Sequence, residues 1–424
     1  MQSKILFIGL LLSFSSLGQI DEVKRITEEL CSPEFHGRGY VHKGDSIAAV
    51  FLKKEFEKIG VEAYKKDYFQ TFEFPVNRFP DSMQVNINGK KLTPGMHFMV
   101  DPASGSSHLK LTPFRIDAAT AMDPDKLISS IRRVMGSNKY NSLAVDLAGV
   151  SADTLKELRG ISQELGNVSK LPILEIIDSK FTWSVAQHQF EFPLIQIQDS
   201  IFQWDKDVTI NIDAEFVESY KTQNVIAYIP AKKCSKKTIV STAHYDHLGR
   251  MGAGTYFPGA NDNASGTAML ITMAKYFKEN PANCNVMFVA FAGEEAGLVG
   301  SKYFVEHPLI NLKKIKFLVN LDIMGSGEEG ITVVNATLFE NEFKMLQDIN
   351  GEKQLLSKVK KRGPAANSDH YWFTEKGVPA FFIYTMGPNK HYHDVFDTYD
   401  ELSFSEYHDI TTLLIEFVRK IEEH

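Results

Sequence analysis

Four apolar runs in this sequence each end in, or lead to, acidic or histidine side chains. The runs are TIVSTAH, VMFVAFAGEE, FLVNLD and FFIY, the last followed by a Gly-Pro loop and HYHD. The side chains concerned are His244, Glu294, Glu295, Asp322, His391 and His393. Imidazole nitrogen and carboxylate oxygen are donors that suit zinc, and a catalytic zinc keeps one position open for water. The residue types therefore predict a metal centre.

Asp262, in the segment GANDNASGT, adds a further carboxylate at the mouth of a predicted helix. Two histidines and three carboxylates are the donors that two metals need when they share one bridging carboxylate, and paired metals polarise a carbonyl and activate water. In the adjacent pair Glu294–Glu295, one residue is expected to bind metal and the other to act as base. Asp246 is predicted to accept the second imidazole N–H of His244.

Each motif also has a purely structural interpretation. The His244–Asp246 pair is compatible with ordinary surface or core polarity, and GEEAG with two acids in the first turn of a helix. Asp262 is equally suited to capping the helix that follows, and HYHD to an unremarkable loop. The occurrence of all the motifs in order, each after an apolar run, favours the metal centre.

From Gln223 onward the sequence alternates between strand and helix patterns, which is typical of a parallel or mixed sheet covered on both faces. Ligands of such sheets sit beyond the carboxyl ends of the strands. We therefore predict an α/β fold with a mixed, mostly parallel sheet sandwiched by helices, built from residues 19–79 and 216–424. Residues 80–215 have a different pattern without an acid or histidine cluster, and they predict a smaller inserted domain.

Composition narrows the function classes. The formal charge is −7, and an acidic protein is a poor candidate for nucleic-acid binding, which needs clustered Lys and Arg. Residues 1–18 have the pattern of a secretory signal with an apolar core too short to span a membrane, which predicts a secreted or periplasmic protein without a stable membrane anchor; an uncleaved anchor is the alternative. Cys31, Cys234 and Cys284 are too few for a disulfide scaffold. One pair among them is compatible with an oxidising compartment, but we interpret all three as structural.

The motifs AHYDH, GANDNASGT, AGEEAGLVGS, NLDIMG, SDHYWF and YHDVFDT together resemble the co-catalytic zinc aminopeptidases of clan MH, which include secreted bacterial leucyl aminopeptidases and glutamate carboxypeptidase II. HGRGY, near the start of the chain, and QNVIAYIPA also resemble that family. The similarity covers about residues 25–75 and 216–424, and the insertion faintly resembles a protease-associated domain. Within HGRGY, a turn held by Arg38 is favoured over a catalytic role for His36 or Arg38.

The resemblance implies two zinc ions and a role for each matching position. His244 and Asp322 would hold one zinc, Glu295 and His393 the other, and Asp262 would bridge them. His391 is the alternative to His393. The resemblance further implies that Glu294 is the general base and that Tyr392 stabilises the oxyanion, and it implies a cis peptide bond after Asp262. The segment 247–259 is predicted to be a mobile flap or to determine specificity.

The expected function is that of a secreted zinc exopeptidase, an aminopeptidase that hydrolyses N-terminal peptide bonds of peptide or aminoacyl substrates. A glutaminyl cyclase with one zinc, on the same fold, is the first alternative. A non-catalytic binding relative is the second. The sequence leaves open the preferred side chain, the choice between aminopeptidase, carboxypeptidase and dipeptidase, and the oligomeric state.

Overall fold

The computed structural model describes residues 20–168, 170–233 and 235–423. The predicted signal segment 1–18 and Cys234 lie outside these residues. The helices are α1 (20–30), α2 (Gly44–Lys58), α3 (Ala118–Met122), α4 (Pro124–Met135), α5 (Ala152–Val168), α6 (Gly266–Glu279), α7 (Val299–Glu306), α8 (Glu340–Lys353), α9 (His370–Glu375) and α10 (Tyr407–Glu423). Among the described segments, no helix has the length and apolarity needed to cross a membrane.

The strands belong to three sheets. Before and within the insertion they are β1 (Glu62–Ala63), β2 (Phe69–Arg78), β3 (Met83–Ile87), β4 (Lys90–Lys91), β5 (Phe98–Val100), β6 (Ser107–Leu111), β7 (Pro113–Asp117), β8 (Ser142–Asp146), β9 (Ile173–Ile177), β10 (Leu194–Gln198) and β11 (Val208–Ile212). After it they are β12 (Glu215–Ile229), β13 (Thr238–His244), β14 (Asn285–Phe291), β15 (Ile315–Leu321), β16 (Gly330–Val334), β17 (Val359–Lys361) and β18 (Ala380–Met386).

The largest sheet has the order β1-β12-β14-β13-β15-β18-β16-β17, with β2 paired to β12. Its centre, β14-β13-β15-β18, is parallel, whereas β12 and β16 join that centre antiparallel. The predicted mixed α/β fold is thereby confirmed, with parallel pairing concentrated in the central strands and at β16–β17.

Both faces of the central strands are buried, which explains why their sequences read as continuous apolar runs. Along β14, Val286 and Phe288 pack into the core on the side of α2, α6 and α10, whereas Met287 and Val289 pack on the opposite side with α7 and α9. Side chains of a strand alternate between faces, so one run of apolar residues supplies two cores.

Within the described part of the chain, the strands from β3 to β11 pair only with one another, in a five-stranded sheet of order β5-β10-β9-β8-β7 and a four-stranded sheet of order β4-β3-β11-β6. Their common core also takes in Leu248, Met251 and Phe257. These three residues belong to the segment predicted as a flap, and their burial contradicts a freely mobile flap. We call residues 80–215 the insert below.

The two cysteines within the described residues, Cys31 and Cys284, are buried and form no disulfide. Burial raises the pKa of the Cys31 thiol to about 12, which leaves it protonated and unreactive.

Candidate metal centre

The predicted site residues meet beyond the carboxyl ends of the central parallel strands. His244 ends β13, Asp322 directly follows β15, and Glu294 and Glu295 lie in the turn after β14, ahead of α7. The Glu pair therefore does not form the first turn of a helix. Asp262 lies in the irregular turn before α6, and the peptide bond after it is cis, as the resemblance implies.

His393 arrives from the loop after β18, and it is the histidine of HYHD that faces the cluster. Its Nε2 lies 3.1 Å from Asp262 Oδ2 and 3.1 Å from Glu295 Oε2. His391 instead has its Nδ1 3.5 Å from Asp394 Oδ2 and its Nε2 3.9 Å from Glu401 Oε2. The structure thus places His393 among the predicted ligands, and it leaves His391 outside.

Asp262 stands between the two histidines. Its Oδ1 is 3.2 Å from His244 Nε2, and its Oδ2 faces His393. Asp322 Oδ1 lies 3.4 Å from the same His244 nitrogen and accepts no hydrogen bond from the described residues, although it is buried. Two sets of donors therefore share one carboxylate.

The spacing of these donors fits zinc. Tetrahedral ligands at the usual Zn–N and Zn–O distances stand roughly 3.3 Å apart, and the four nitrogen–oxygen separations lie between 3.1 and 3.4 Å. The chemistry of the donor set, two imidazoles and three carboxylates, also fits. Among the described residues, His244, Asp262 and Glu295 come close enough to share an ion, and so do His244, Glu294 and Asp322.

Both imidazoles are held in the tautomer that a metal requires. His393 Nδ1 lies 2.8 Å from the backbone carbonyl of Trp183, and His244 Nδ1 lies 3.2 Å from the backbone carbonyl of Asp246. A carbonyl can only accept, so Nδ1 carries a proton, and Nε2 is the nitrogen that faces the carboxylates and is available to a metal once its own proton has left.

The route by which Asp246 orients His244 differs from the prediction. The carboxylate Oδ1 of Asp246 is 3.8 Å from His244 Nδ1, whereas the backbone oxygen is nearer. The carboxylate instead accepts the Tyr40 hydroxyl at 2.8 Å and the amides of Glu294 and Glu295 at 3.2 and 3.4 Å. Those bonds place the turn that carries the Glu pair.

Three residues that were not predicted as part of the site position its carboxylates. His247 Nδ1 lies 2.6 Å from Glu295 Oε1, which turns the other oxygen toward His393. Asp397 accepts the amides of Asn261 and Asp262 at 2.9 and 3.0 Å. The repeated histidine of AHYDH and the second acid of YHDVFDT were the available sequence signals for His247 and Asp397.

The third is Arg38 of HGRGY, which is fully buried. It donates to the carbonyls of Leu30, Tyr245, Pro258, Gly259 and Asp262 at 2.6–3.5 Å. These bonds connect the HGRGY segment, residues 36–40, to the loop that leads into Asp262. They agree with the predicted structural role of Arg38.

Asp322 is oriented by a buried chain of hydrogen bonds. Thr242 donates to Asn320 at 2.6 Å, and Asn320 donates to Ser368 at 2.8 Å. Ser368 in turn donates to Asp322 Oδ2 at 3.4 Å, which leaves Oδ1 facing His244.

The electrostatics reflect the crowding of acids around two imidazoles. Burial lowers the pKa of His393, but Glu295 and Asp262 outweigh it and raise the pKa to about 11. Burial raises the pKa of Glu295, yet His393 and His247 bring it down to about 2. Burial, together with Asp369 and Glu295, holds the pKa of Glu294 well above its usual range despite the attraction of His244. Glu294 thus holds a proton more tightly than an ordinary glutamate does.

A cleft of about 470 Å³ opens above these groups. Its lining includes Asp262, Glu294, Glu295, Asp322, Tyr392 and His393, and its walls include Leu298, Ile323, Arg362, Asn367, Phe382 and Tyr384. Tyr392 stacks on His393 with ring centroids 3.9 Å apart and is 47 % exposed. No residue of the segment 247–259 lines this cleft, so the predicted specificity role of that segment finds no support here.

Comparison with known proteins shows which peptidases this chain resembles. The model of Peptidase family M28 matches residues 224–418. Aminopeptidase YwaD of Bacillus subtilis is 36% identical over 126 residues, 29% of this chain and 26% of that protein. A probable leucine aminopeptidase of Trichophyton verrucosum is 27% identical over 223 residues, 49% of this chain and 58% of that protein. The matched stretches thus span less than two thirds of either relative.

Among solved structures, BSAP, a zinc aminopeptidase from Bacillus subtilis, superposes with a TM-score of 0.71 over 94% of each chain at 18% identity. The agreement over nearly the whole of both chains shows that the two share a fold that includes the insert.

Proposed function

We propose that this protein, whose residues 224–418 match the model of Peptidase family M28, is a zinc-dependent aminopeptidase that hydrolyses the N-terminal bond of peptides or aminoacyl substrates. The observation that carries the proposal is the position of Asp262, with one oxygen 3.2 Å from His244 and the other 3.1 Å from His393. Such a carboxylate is suited to bridging two ions.

In this proposal His244 and Asp322 hold one zinc, Glu295 and His393 hold the other, and Asp262 bridges them. When bound, the two ions would polarise the scissile carbonyl and lower the pKa of the attacking water. Each ligand is in contact with a further protein group that restricts its orientation. Losing such a contact commonly lowers metal affinity by roughly 10- to 100-fold.

Glu294 is proposed as the general base. It lines the cleft and lies close enough to His244 and Asp322 to share an ion with them. Its raised pKa suits a carboxylate that takes a proton from water and passes it to the leaving amine. Tyr392, which lines the same cleft and is half exposed, is proposed to donate a hydrogen bond from its hydroxyl to the developing oxyanion.

A glutaminyl cyclase with one zinc would need only one of the two donor sets. The presence of two sets around a shared Asp262 favours the hydrolase, and it equally favours an enzyme over a non-catalytic relative. Secretion, suggested by residues 1–18, remains part of the proposal.

The test is to measure the zinc content of the purified protein together with hydrolysis of aminoacyl reporter substrates by the wild type and by Glu294→Gln. We expect about two zincs per chain in both proteins and a fall in kcat of roughly 10²- to 10⁴-fold in the variant. Glu306→Gln, an exposed acid at the end of α7, is the matched control and should behave as the wild type. Cyclisation of an N-terminal Gln peptide without hydrolysis would instead favour the cyclase, and wild-type turnover in Glu294→Gln would remove the base assignment.

A further inference from the structure

Arg362 lines the cleft that contains the proposed zinc ligands. It directly follows β17, and its backbone amide donates to Val333 at 2.9 Å, which attaches this wall to the sheet. Its Nη1 donates to the hydroxyl of Tyr384 at 3.0 Å, and its guanidinium lies 5.9 Å from the centre of the same ring. One edge of the guanidinium is therefore anchored on a tyrosine that also lines the cleft.

The charge of Arg362 has no protein partner of opposite sign among the described residues. Tyr384 accepts one of its hydrogen bonds, no carboxylate of the described chain forms an ion pair with it, and its side chain is exposed. Within the described lining of the cleft it is the only Arg or Lys, on a wall otherwise formed by residues such as Leu298, Ile323 and Phe382.

A planar guanidinium with free donors recognises carboxylates in a bidentate manner, and its rigid geometry makes that recognition selective. Among the acids that line the cleft, Asp262, Glu295 and Asp322 face the two histidines. Glu294, the fourth, forms no ion pair with Arg362 within the described residues, so the partner of Arg362 has to arrive with the substrate.

We propose that Arg362 binds a carboxylate of the substrate, so that the cleft prefers a substrate that carries this carboxylate over the same substrate with a neutral amide in its place. The inference rests on the proposed aminopeptidase function and names the substrate class of that same site. The carboxylate can come from an acidic first side chain or from the free C-terminus of a short peptide. Both sources present the same group to Arg362, and a cleft of this size accommodates a ligand of a few residues.

The experiment measures kcat/KM of the zinc-loaded protein on two pairs of substrates. The first pair is a Glu and a Gln aminoacyl reporter, and the second is a dileucine peptide with a free or an amidated C-terminus. Wild type, Arg362→Gln, Arg362→Lys and Tyr384→Phe are compared. Arg132→Gln, an exposed arginine on α4 outside the cleft lining, is the matched control.

We expect the wild type to prefer the carboxylate in one of the two pairs by on the order of 10- to 100-fold, the range for a hydrogen-bonded charge pair. Arg362→Gln should remove that preference mainly through KM, and Arg362→Lys should keep part of it because the charge remains. Tyr384→Phe should lower the preference by releasing the anchored edge, whereas Arg132→Gln should not change it. The pair that shows the preference identifies the source of the carboxylate.

A wild type that does not discriminate within either pair, or a preference that survives in Arg362→Gln, would overturn the inference. The absence of hydrolysis of all four substrates by the zinc-loaded wild type would overturn the proposed function instead, so the two failures are distinguishable. If Arg362→Gln does not fold, as judged by thermal unfolding, the comparison of Arg362→Lys and Tyr384→Phe with the wild type decides the question.

Discussion

Trp183 and His393 are joined by two hydrogen bonds, one between their backbones and one from the His393 ring to the Trp183 backbone. Trp183 N–H donates to His393 O at 2.9 Å, and His393 Nδ1 lies 2.8 Å from Trp183 O. Trp183 belongs to the insert, whereas His393 is a proposed zinc ligand that lies outside the insert. Nearby, Lys180 of the insert pairs with the buried Asp394 at 2.5 Å. The insert thus helps to position one of the metal ligands.

This relationship predicts that loosening Trp183 weakens metal binding. The indole stacks on Phe257 with centroids 4.6 Å apart and donates to Val100 O at 2.7 Å, which holds the segment in place. In Trp183→Ala we expect zinc affinity at the site of His393 to fall by roughly 10- to 100-fold, the usual cost of losing an outer contact. Competition with a chromogenic chelator measures it.

Trp204→Ala is the matched control, because Trp204 packs on Phe202 and Arg115 elsewhere in the insert. It should leave zinc affinity unchanged. Two zincs bound by Trp183→Ala with wild-type affinity, in a protein whose unfolding is unaltered, would contradict a role of the insert in positioning His393.

Changes in individual ligands should separate the two sites. Asp322→Asn should lose the zinc shared with His244, and Glu295→Gln the zinc shared with His393, so that each retains about one ion. Asp262→Asn should weaken both, because its two oxygens face different histidines. Metal analysis after dialysis gives the stoichiometry, and two retained zincs in Asp262→Asn would rule out the bridge.

Zinc uptake should release protons. Glu295 and Asp262 raise the pKa of His393 to about 11, so the metal-free imidazole is protonated at neutral pH. A metal requires the neutral ring, and the proton must therefore leave when zinc binds. Affinity should accordingly increase as the pH rises. Calorimetric titration of zinc in buffers of different ionisation enthalpy measures the protons released, and an uptake of protons on binding would contradict the expectation.

Arg38 should contribute strongly to stability. Its guanidinium is fully buried and donates to five backbone carbonyls. Arg38→Met would leave those carbonyls without their donor, and we expect a loss of about 3 kcal/mol or more in the free energy of unfolding. Thermal and denaturant unfolding measure this loss. The exposed Arg132→Met should change stability little, and an equal effect in both variants would show that the buried bonds are not decisive.

Much of the architecture could be predicted because it depends on local patterns. Apolar runs such as VMFVAF identify strands buried on both faces, and the acids and histidines at their ends identify the edge of the sheet at which a ligand binds. Strand direction then brings His244, Glu295 and Asp322 together, since the carboxyl ends of parallel strands meet at one edge.

Contacts between segments that are distant in the chain were decided only by the tertiary structure. His391 and His393 are equivalent as residue types, and only the path of the loop, held by Lys180 and Trp183 from the insert, turns His393 toward Asp262. Arg38 reaches the loop before Asp262 from more than two hundred residues away. Arg362 belongs to no motif and enters the cleft only because β17 lies at the edge of the same sheet. Sequence patterns report neighbours along the chain, whereas these roles depend on distances through space that packing alone determines.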